Sequence, residues 1–273
     1  MMSWWEALIL GVVEGLTEYL PVSSTAHLIL AQRALGIPAS EAANAFAICV
    51  QLGAIAAVLG VFSQRVRAMI LGVLGRDPAG RSLALHVVLG FLPAAVLGKL
   101  FNAAIERLLF GLYPVVVAWF VGGVAILGLS AAKRDRRPGR ALSELTARDA
   151  VIIGLAQCLA MWPGTSRSLV TLAAGLLVGL SMEAALEYSF LLGLVTLSAA
   201  TGYKLLKSGS VMLHAYGSLN LAVGFLAAAV SAVLAVRWML SWLRGHGLQV
   251  FGVYRVLLAL AVGALLAAGA LQP

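Results

Sequence analysis

Glu14, Glu18, Ser23, Ser24, Thr25 and His27 fall within one short stretch of this chain, and Thr165, Ser166, Arg167 and Ser168 within another. The first stretch combines carboxylates, hydroxyls and an imidazole. On a helix Glu14 and Glu18 lie one turn apart on the same face, where they repel if both are ionised. A divalent cation, a shared proton or a nearby arginine each resolves that repulsion. Ser24 is a candidate nucleophile, and His27, three residues on, is a candidate base with an ordinary pKa near neutrality. Attack by His27 itself, or by water directly, fits the same residues, and a hydroxyl cluster after a proline also serves to cap a helix. The second stretch supplies the complement. Hydroxyls and backbone N–H groups at a helix start, beside a guanidinium that can pair with two oxygens at once, bind phosphate. Arg167 paired to Glu14 or Glu18 as a clamp between helices is the structural alternative, and the two roles can alternate with ligand occupancy.

These charges stand in apolar surroundings. The chain has 273 residues, 62% hydrophobic and 11% charged, with a mean hydropathy of +0.99. That excludes an ordinary soluble domain and identifies a polytopic membrane protein. Apolar stretches at 42–62, 84–101, 113–131, 184–203, 221–243 and 253–271 each approach the roughly 20 residues that a spanning helix needs, so six crossings are expected. A charge near a bilayer centre costs about 2.5–3.5 kcal/mol, which makes ionisable residues there functional candidates. The first residues, Met1 to Glu6, lack a basic region and the apolar run after them meets Glu14, so no removable signal peptide is expected. Cys49 and Cys158 lie in apolar segments without metal-ligand spacing and read as packing residues. The net charge of +8 resides in short loops, a matter of membrane topology and not of nucleic-acid binding.

The reactive stretches are related to each other. Gly11-Val-Val-Glu14 matches Gly154-Leu-Ala-Gln157, Pro21-Val-Ser23-Ser24 matches Pro163-Gly-Thr165-Ser166 after a one-residue slip, and Glu41-Ala-Ala matches Glu183-Ala-Ala. Gly90-Phe-Leu and Gly224-Phe-Leu, then Tyr113 and Tyr254, continue the register. The expectation is a first repeat over 1–135, a basic linker at 136–148 and a second repeat over 149–273, with the substrate site between them. Segments 4–35 and 149–180 are each broken by Pro and small polar residues, and neither half is long enough to span. Such backbone survives at membrane depth only when buried in protein or lining a wet cavity, so both are expected as re-entrant helix-turn-helix hairpins. Three crossings per repeat then invert the second repeat relative to the first. Arg65, Arg67, Arg76 and Arg81 fall on the same side as Lys133, Arg134, Arg136, Arg137, Arg140 and Arg148, which the positive-inside rule makes cytoplasmic. Both termini are then external, and the hairpin tips converge within the membrane. The linker is read as a solvated anchor, with anionic lipid headgroups as its other candidate ligand.

The runs Glu14-Gly-Leu-Thr-Glu18-Tyr-Leu-Pro-Val-Ser-Ser-Thr-Ala-His27 and Pro163-Gly-Thr-Ser-Arg-Ser168 resemble the bacterial undecaprenyl-pyrophosphate phosphatase family associated with bacitracin resistance. Gly154-Leu-Ala-Gln-Cys-Leu159, Gly175 to Ser181 and Tyr188 to Leu192 are also similar to that family, so the resemblance covers nearly the whole chain. It implies an all-α inner-membrane enzyme of two inverted repeats, acting as a homodimer and opening to the periplasmic side. Its reaction would remove the terminal phosphate of a polyprenyl diphosphate to renew the lipid carrier of cell-wall synthesis, with a divalent cation such as Mg or Ca and no organic cofactor. By motif match, Glu14, Glu18, Ser24, His27 and Arg167 take the catalytic positions, Ser23, Thr25, Thr165, Ser166 and Ser168 contact phosphate, and Glu14 with Glu18 are the metal candidates. Ala26, Leu169 and Val195 depart from the usual Gly, Gly and Pro. A lipid flippase or secondary transporter is the rival reading, because broken helices in inverted repeats also describe carriers. A purely structural scaffold leaves the buried charges without a purpose.

Overall fold

The computed structural model describes residues 2–38, 40–109 and 111–271, apart from the side chains of 102–104, 106, 107 and 244. The outermost residues of the two expected repeats, Met1 and 272–273, lie outside the described residues. The described chain is helical throughout: α1 (Trp4–Thr17), α2 (Ser24–Ala34), α3 (Glu41–Val61), α4 (Ser63–Val73), α5 (Pro78–Leu109), α6 (Leu112–Ala131), α7 (Ala147–Gln157), α8 (Arg167–Leu177), α9 (Met182–Gly245) and α10 (Gln249–Ala267), with short 3-10 turns between.

Among the described residues five helices are long and apolar enough to cross a membrane: α3, Pro78–Phe101 of α5, α6, Met182–Leu243 of α9, and α10. This is a multi-pass membrane protein. The expected stretches 184–203 and 221–243 both fall within α9, whose 64 residues would extend about three times the hydrocarbon thickness if straight. Gly217, at φ 73° and ψ 160°, divides it into two helical segments. Lipid-facing side chains such as Leu92, Val96, Leu206, Leu234 and Leu257 are exposed on α5, α9 and α10, as expected where the surrounding solvent is hydrocarbon.

Local sequence explains the helix starts. Ser3 and Glu6 form a capping box on α1, and Thr146 and Asp149 form one on α7, each pair satisfying two N–H groups that the helix leaves open. Ser40 and Ser181 cap α3 and α9 through the N–H groups of Ala43 and Ala184. The amphipathic α4 was not among the expected elements. Its Val66 and Met69 pack against the core, while Arg65 and Arg67 on the same helix are polar positions that kept the segment out of the apolar count.

Helices from the two halves of the sequence interleave. α9 packs against α1 and α3, α5 against α7, and α6 against α10. The basic loops meet at one end of the molecule, where Arg65 pairs with Glu187 at 2.6 Å and a cavity is lined by Arg65, Asp77, His86, Ser143 and Glu183. α1 and α7 pack one face on this framework and leave the other exposed, and the turns that follow them are in contact.

Candidate active site

The two turns share an unusual backbone conformation. Ser23 before α2 has φ 74° and Ser166 before α8 has φ 75°. A non-glycine residue held in such a sparsely populated region costs about 1–3 kcal/mol and persists only where its surroundings enforce it. Pro21 and Pro163 precede these serines, and the strained residue turns the chain so that Ser24 and Arg167 become the first residues of their helices. Ser166 Oγ accepts the Leu169 N–H at 3.3 Å and lies 3.0 Å from Ser168 Oγ. Ser168 Oγ then donates across to Leu20 O at 2.9 Å, joining one turn to the other.

Three expected site residues from the two turns form a single hydrogen-bonded group. The Ser24 hydroxyl donates to Glu18 Oε2. Arg167 Nη2 donates to Glu18 Oε1 at 3.0 Å, and its Nη1 to Ser189 O at 3.0 Å. The pair is enclosed, with side-chain exposures of 10% for Arg167 and 6% for Glu18. Arg167 Nε is buried with no partner among the described residues, so part of the guanidinium remains free to donate. Its carbon lies 5.8 Å from the Tyr19 ring centre, within cation–π range. Gly193 makes room for it: a β-carbon there would stand 2.0 Å from Arg167 Nη1.

Glu18, Ser23, Ser24, Thr25, Ser166 and Arg167 line one cavity of ≈ 270 Å³. Glu14 is fully buried one turn before Glu18, and neither of its carboxylate oxygens has a partner among the described residues. Thr165 is half-buried within the turn, its N–H bonded to Trp162 O at 3.1 Å. His27 faces elsewhere. Nδ1 lies 2.7 Å from Ser23 O and Nε2 2.7 Å from the Tyr254 hydroxyl, so the hydroxyl expected to meet His27 is bonded to Glu18 instead. A neutral ring donating from Nδ1 to the Ser23 carbonyl leaves Nε2 to accept from Tyr254. Ala26 is fully buried, and Leu169 is also in the interior, so two departures from the family pattern are absorbed as packing.

Sequence reasoning missed Arg255. Fully buried in α10, it donates from Nη1 to Pro21 O at 3.1 Å and from Nη2 to Ala118 O at 2.9 Å and Gly164 O at 2.8 Å. It therefore holds the backbone of both turns against α6. Gly122 accommodates it, since a β-carbon there would lie 2.2 Å from Arg255 Nη2. Trp119 Nε1 adds a bond to Val22 O at 2.9 Å, and Trp162 Nε1 one to Pro114 O at 3.0 Å. The available signal was a lone arginine inside an apolar span. Its carbonyl partners leave no mark in a sequence.

Among the described residues no three His, Cys, Asp or Glu side chains come together as a metal cluster. Glu14 and Glu18 do present adjacent carboxylates, and the two unpartnered Glu14 oxygens suit a hard cation.

The family model described as "Bacitracin resistance protein BacA" matches residues 7–261. The chain is 46% identical over 268 residues to "Undecaprenyl-diphosphatase" of Sorangium cellulosum (strain So ce56), covering 97% of this chain and 85% of that relative. It is 43% identical over 259 residues to "Undecaprenyl-diphosphatase 2" of Rhodospirillum rubrum, covering 94% and 93%. "Undecaprenyl-diphosphatase" of Acidovorax ebreus (strain TPSY) is 44% identical over 259 residues, again covering 94% and 93%.

Proposed function

The chain belongs to the bacitracin resistance protein BacA family, and from that membership we infer that it is an undecaprenyl-diphosphatase. It hydrolyses undecaprenyl diphosphate to undecaprenyl phosphate and inorganic phosphate. One observation carries the assignment of the site: Ser24 donates to Glu18, whose other oxygen is paired with Arg167 from the second turn.

Phosphoryl transfer depends mainly on positioning and neutralisation of charge. In the proposed sequence Ser24 Oγ attacks the terminal phosphorus and its proton passes to Glu18. The bond from that phosphorus to the bridging oxygen breaks, and the electron pair leaves on undecaprenyl phosphate. Glu18 gives that proton to the departing lipid phosphate; water then attacks the phosphoserine and passes its proton to Glu18, which returns it to Ser24 Oγ as the phosphorus–Oγ bond breaks and phosphate departs. Arg167, moving from Glu18 toward the incoming oxygens, balances their charge. Ser23, Thr25 and Ser166 donate to the phosphate from the cavity wall, and Thr165 and Ser168 shape the turn around it. His27 fixes the strained turn through the Ser23 carbonyl. Glu14 and Glu18 would hold a divalent cation, Mg or Ca, whose chemistry there would be to neutralise diphosphate oxygens.

α1–α2 and α7–α8 are proposed to be re-entrant hairpins in two inverted repeats, with six crossings once the two segments of α9 are counted separately. Interleaving of the halves and matched capping boxes support this arrangement. The positive charge of the basic loops supports a cytoplasmic side at their end of the molecule; on this reading the site opens to the periplasmic side of the inner membrane and both termini are external, and the family resemblance adds a homodimer. Its product renews the lipid carrier used in wall synthesis, and that renewal opposes bacitracin.

Phosphate release from undecaprenyl diphosphate by detergent-purified protein tests the reading. The expected result is one inorganic phosphate per lipid, whereas a pure carrier would release none.

A further inference from the structure

Gln157 closes α7 and matches Glu14 in the repeat, but it is an amide where Glu14 is a carboxylate. Its side chain is buried, at 2% exposure. Oε1 lies 3.3 Å from Thr196 Oγ1, whose single proton is shared between Gln157 and Leu192 O at 2.9 Å, and Nε2 has no hydrogen-bond partner among the described residues. Both Gln157 and Thr196 line the cavity that contains Glu18, Ser24 and Arg167. A buried N–H without an acceptor is a standing cost that a ligand oxygen removes. Because Nε2 can only donate, the ligand atom it selects is an acceptor, and the anionic oxygens of a diphosphate are strong ones.

Position within the cavity indicates which phosphate is involved. Ser24, Glu18 and Arg167 come from the turns. Gln157 and Thr196 instead share their elements with apolar lining: Leu197 and Ala200 on α9, and Ala160 and Met161 just after α7. Thr196 and Ala200 are one helical turn apart and face the same way. The prenyl chain belongs with these apolar residues, and the phosphate bonded to it is then the group beside Gln157.

We propose that Gln157, whose amide oxygen lies beside Thr196, donates Nε2–H to a non-bridging oxygen of the phosphate that stays on the lipid. The site thereby recognises a diphosphate by gripping both phosphates, the terminal one through Arg167 and the inner one through Gln157. This rests on the phosphatase reading above. The contact is made in ground and transition states alike, so it affects binding more than turnover.

Steady-state hydrolysis of undecaprenyl diphosphate, with undecaprenyl phosphate and inorganic phosphate as separate inhibitors, tests it on the full-length protein. Gln157→Leu is expected to raise KM about tenfold and to change kcat less than about threefold. It should weaken inhibition by undecaprenyl phosphate by the same factor as KM and leave inhibition by inorganic phosphate unchanged. Gln157→Glu should raise KM further, since it sets an acceptor with negative charge against the phosphate. A Gln157→Leu protein with KM within about twofold of wild type overturns the proposal, as does equal weakening of both inhibitors, which signals general loosening. Wild-type KM in Gln157→Glu overturns it too, because the amide oxygen would then be the atom facing the cavity. Wild-type protein that releases no phosphate defeats the phosphatase reading itself, and this inference with it, whereas an active wild type with an indifferent Gln157→Leu defeats this inference alone.

Discussion

Arg167 Nη2 meets Glu18 Oε1 at 3.0 Å across 149 positions of sequence, joining the start of α8 to the end of α1. Two turns that are remote in the chain become one site through this contact. The same carboxylate accepts the Ser24 hydroxyl, so the ion pair also orients the proposed nucleophile. A buried pair contributes little net stability while intact, but removing one partner leaves a costly uncompensated charge, about 3–5 kcal/mol.

Glu18→Gln is therefore expected to lower thermal stability and to reduce turnover by about 10²-fold or more, the scale seen when a positioned proton-transfer group is removed. Arg167→Lys should fall by about 10²–10³-fold, because a single ammonium cannot replace a fork that reaches both Glu18 and Ser189 O. Phosphate-release rates for the two variants and their double mutant check this. Full multiplicativity of the two losses would contradict a shared role, since coupled residues depart from additivity.

Gly193→Ala should imitate loss of Arg167 without touching it. The added β-carbon would fall 2.0 Å from Arg167 Nη1, so the guanidinium must leave its place against α9. Turnover should drop by about 10²-fold while the helical content measured by circular dichroism stays that of wild type. Wild-type turnover in this variant would mean that Arg167 works from another position.

Arg255→Met should destabilise both turns together. Three backbone carbonyls, Pro21 O, Ala118 O and Gly164 O, lose their donor, and a buried group left unsatisfied costs about 1–3 kcal/mol. A lower unfolding temperature in detergent, with turnover reduced about tenfold or more by misplacement of the reacting groups, is the expected outcome. Arg255→Lys should rescue only part of the loss, because one ammonium cannot span carbonyls on three elements.

Much of this architecture was legible in the sequence. The stretch 42–62 became α3, 113–131 became α6, and the breaks expected in 4–35 and 149–180 fall at the turns between α1 and α2 and between α7 and α8. Hydropathy and proline report these features directly, because both act on a local window. Glu18, Ser24 and Arg167 were also recognisable, as polar groups with no local reason to be in apolar sequence. What stayed hidden depends on long-range packing. From the far end of the chain Arg255 reaches both turns and Tyr254 reaches His27 on α2. Gly122 and Gly193 carry no chemistry and matter only as space for a guanidinium. Ser24 pairs with Glu18 and His27 with Ser23 O and Tyr254, and the positive φ of Ser23 is a conformation that no residue type announces.

A phosphorylated intermediate, trapped by acid quench during turnover and located by peptide mass spectrometry, should carry its phosphate on Ser24. Phosphate on His27 would assign the attack to the imidazole, and an unmodified enzyme would assign it to water.

Single-turnover release of phosphate from undecaprenyl diphosphate, compared among wild type, Ser24→Ala, Glu18→Gln and Arg167→Ala, bears most directly on the site. Rapid release by wild type and a loss of about 10²-fold or more in each variant is the predicted result. Wild-type rates in all three variants would contradict a site built from both turns.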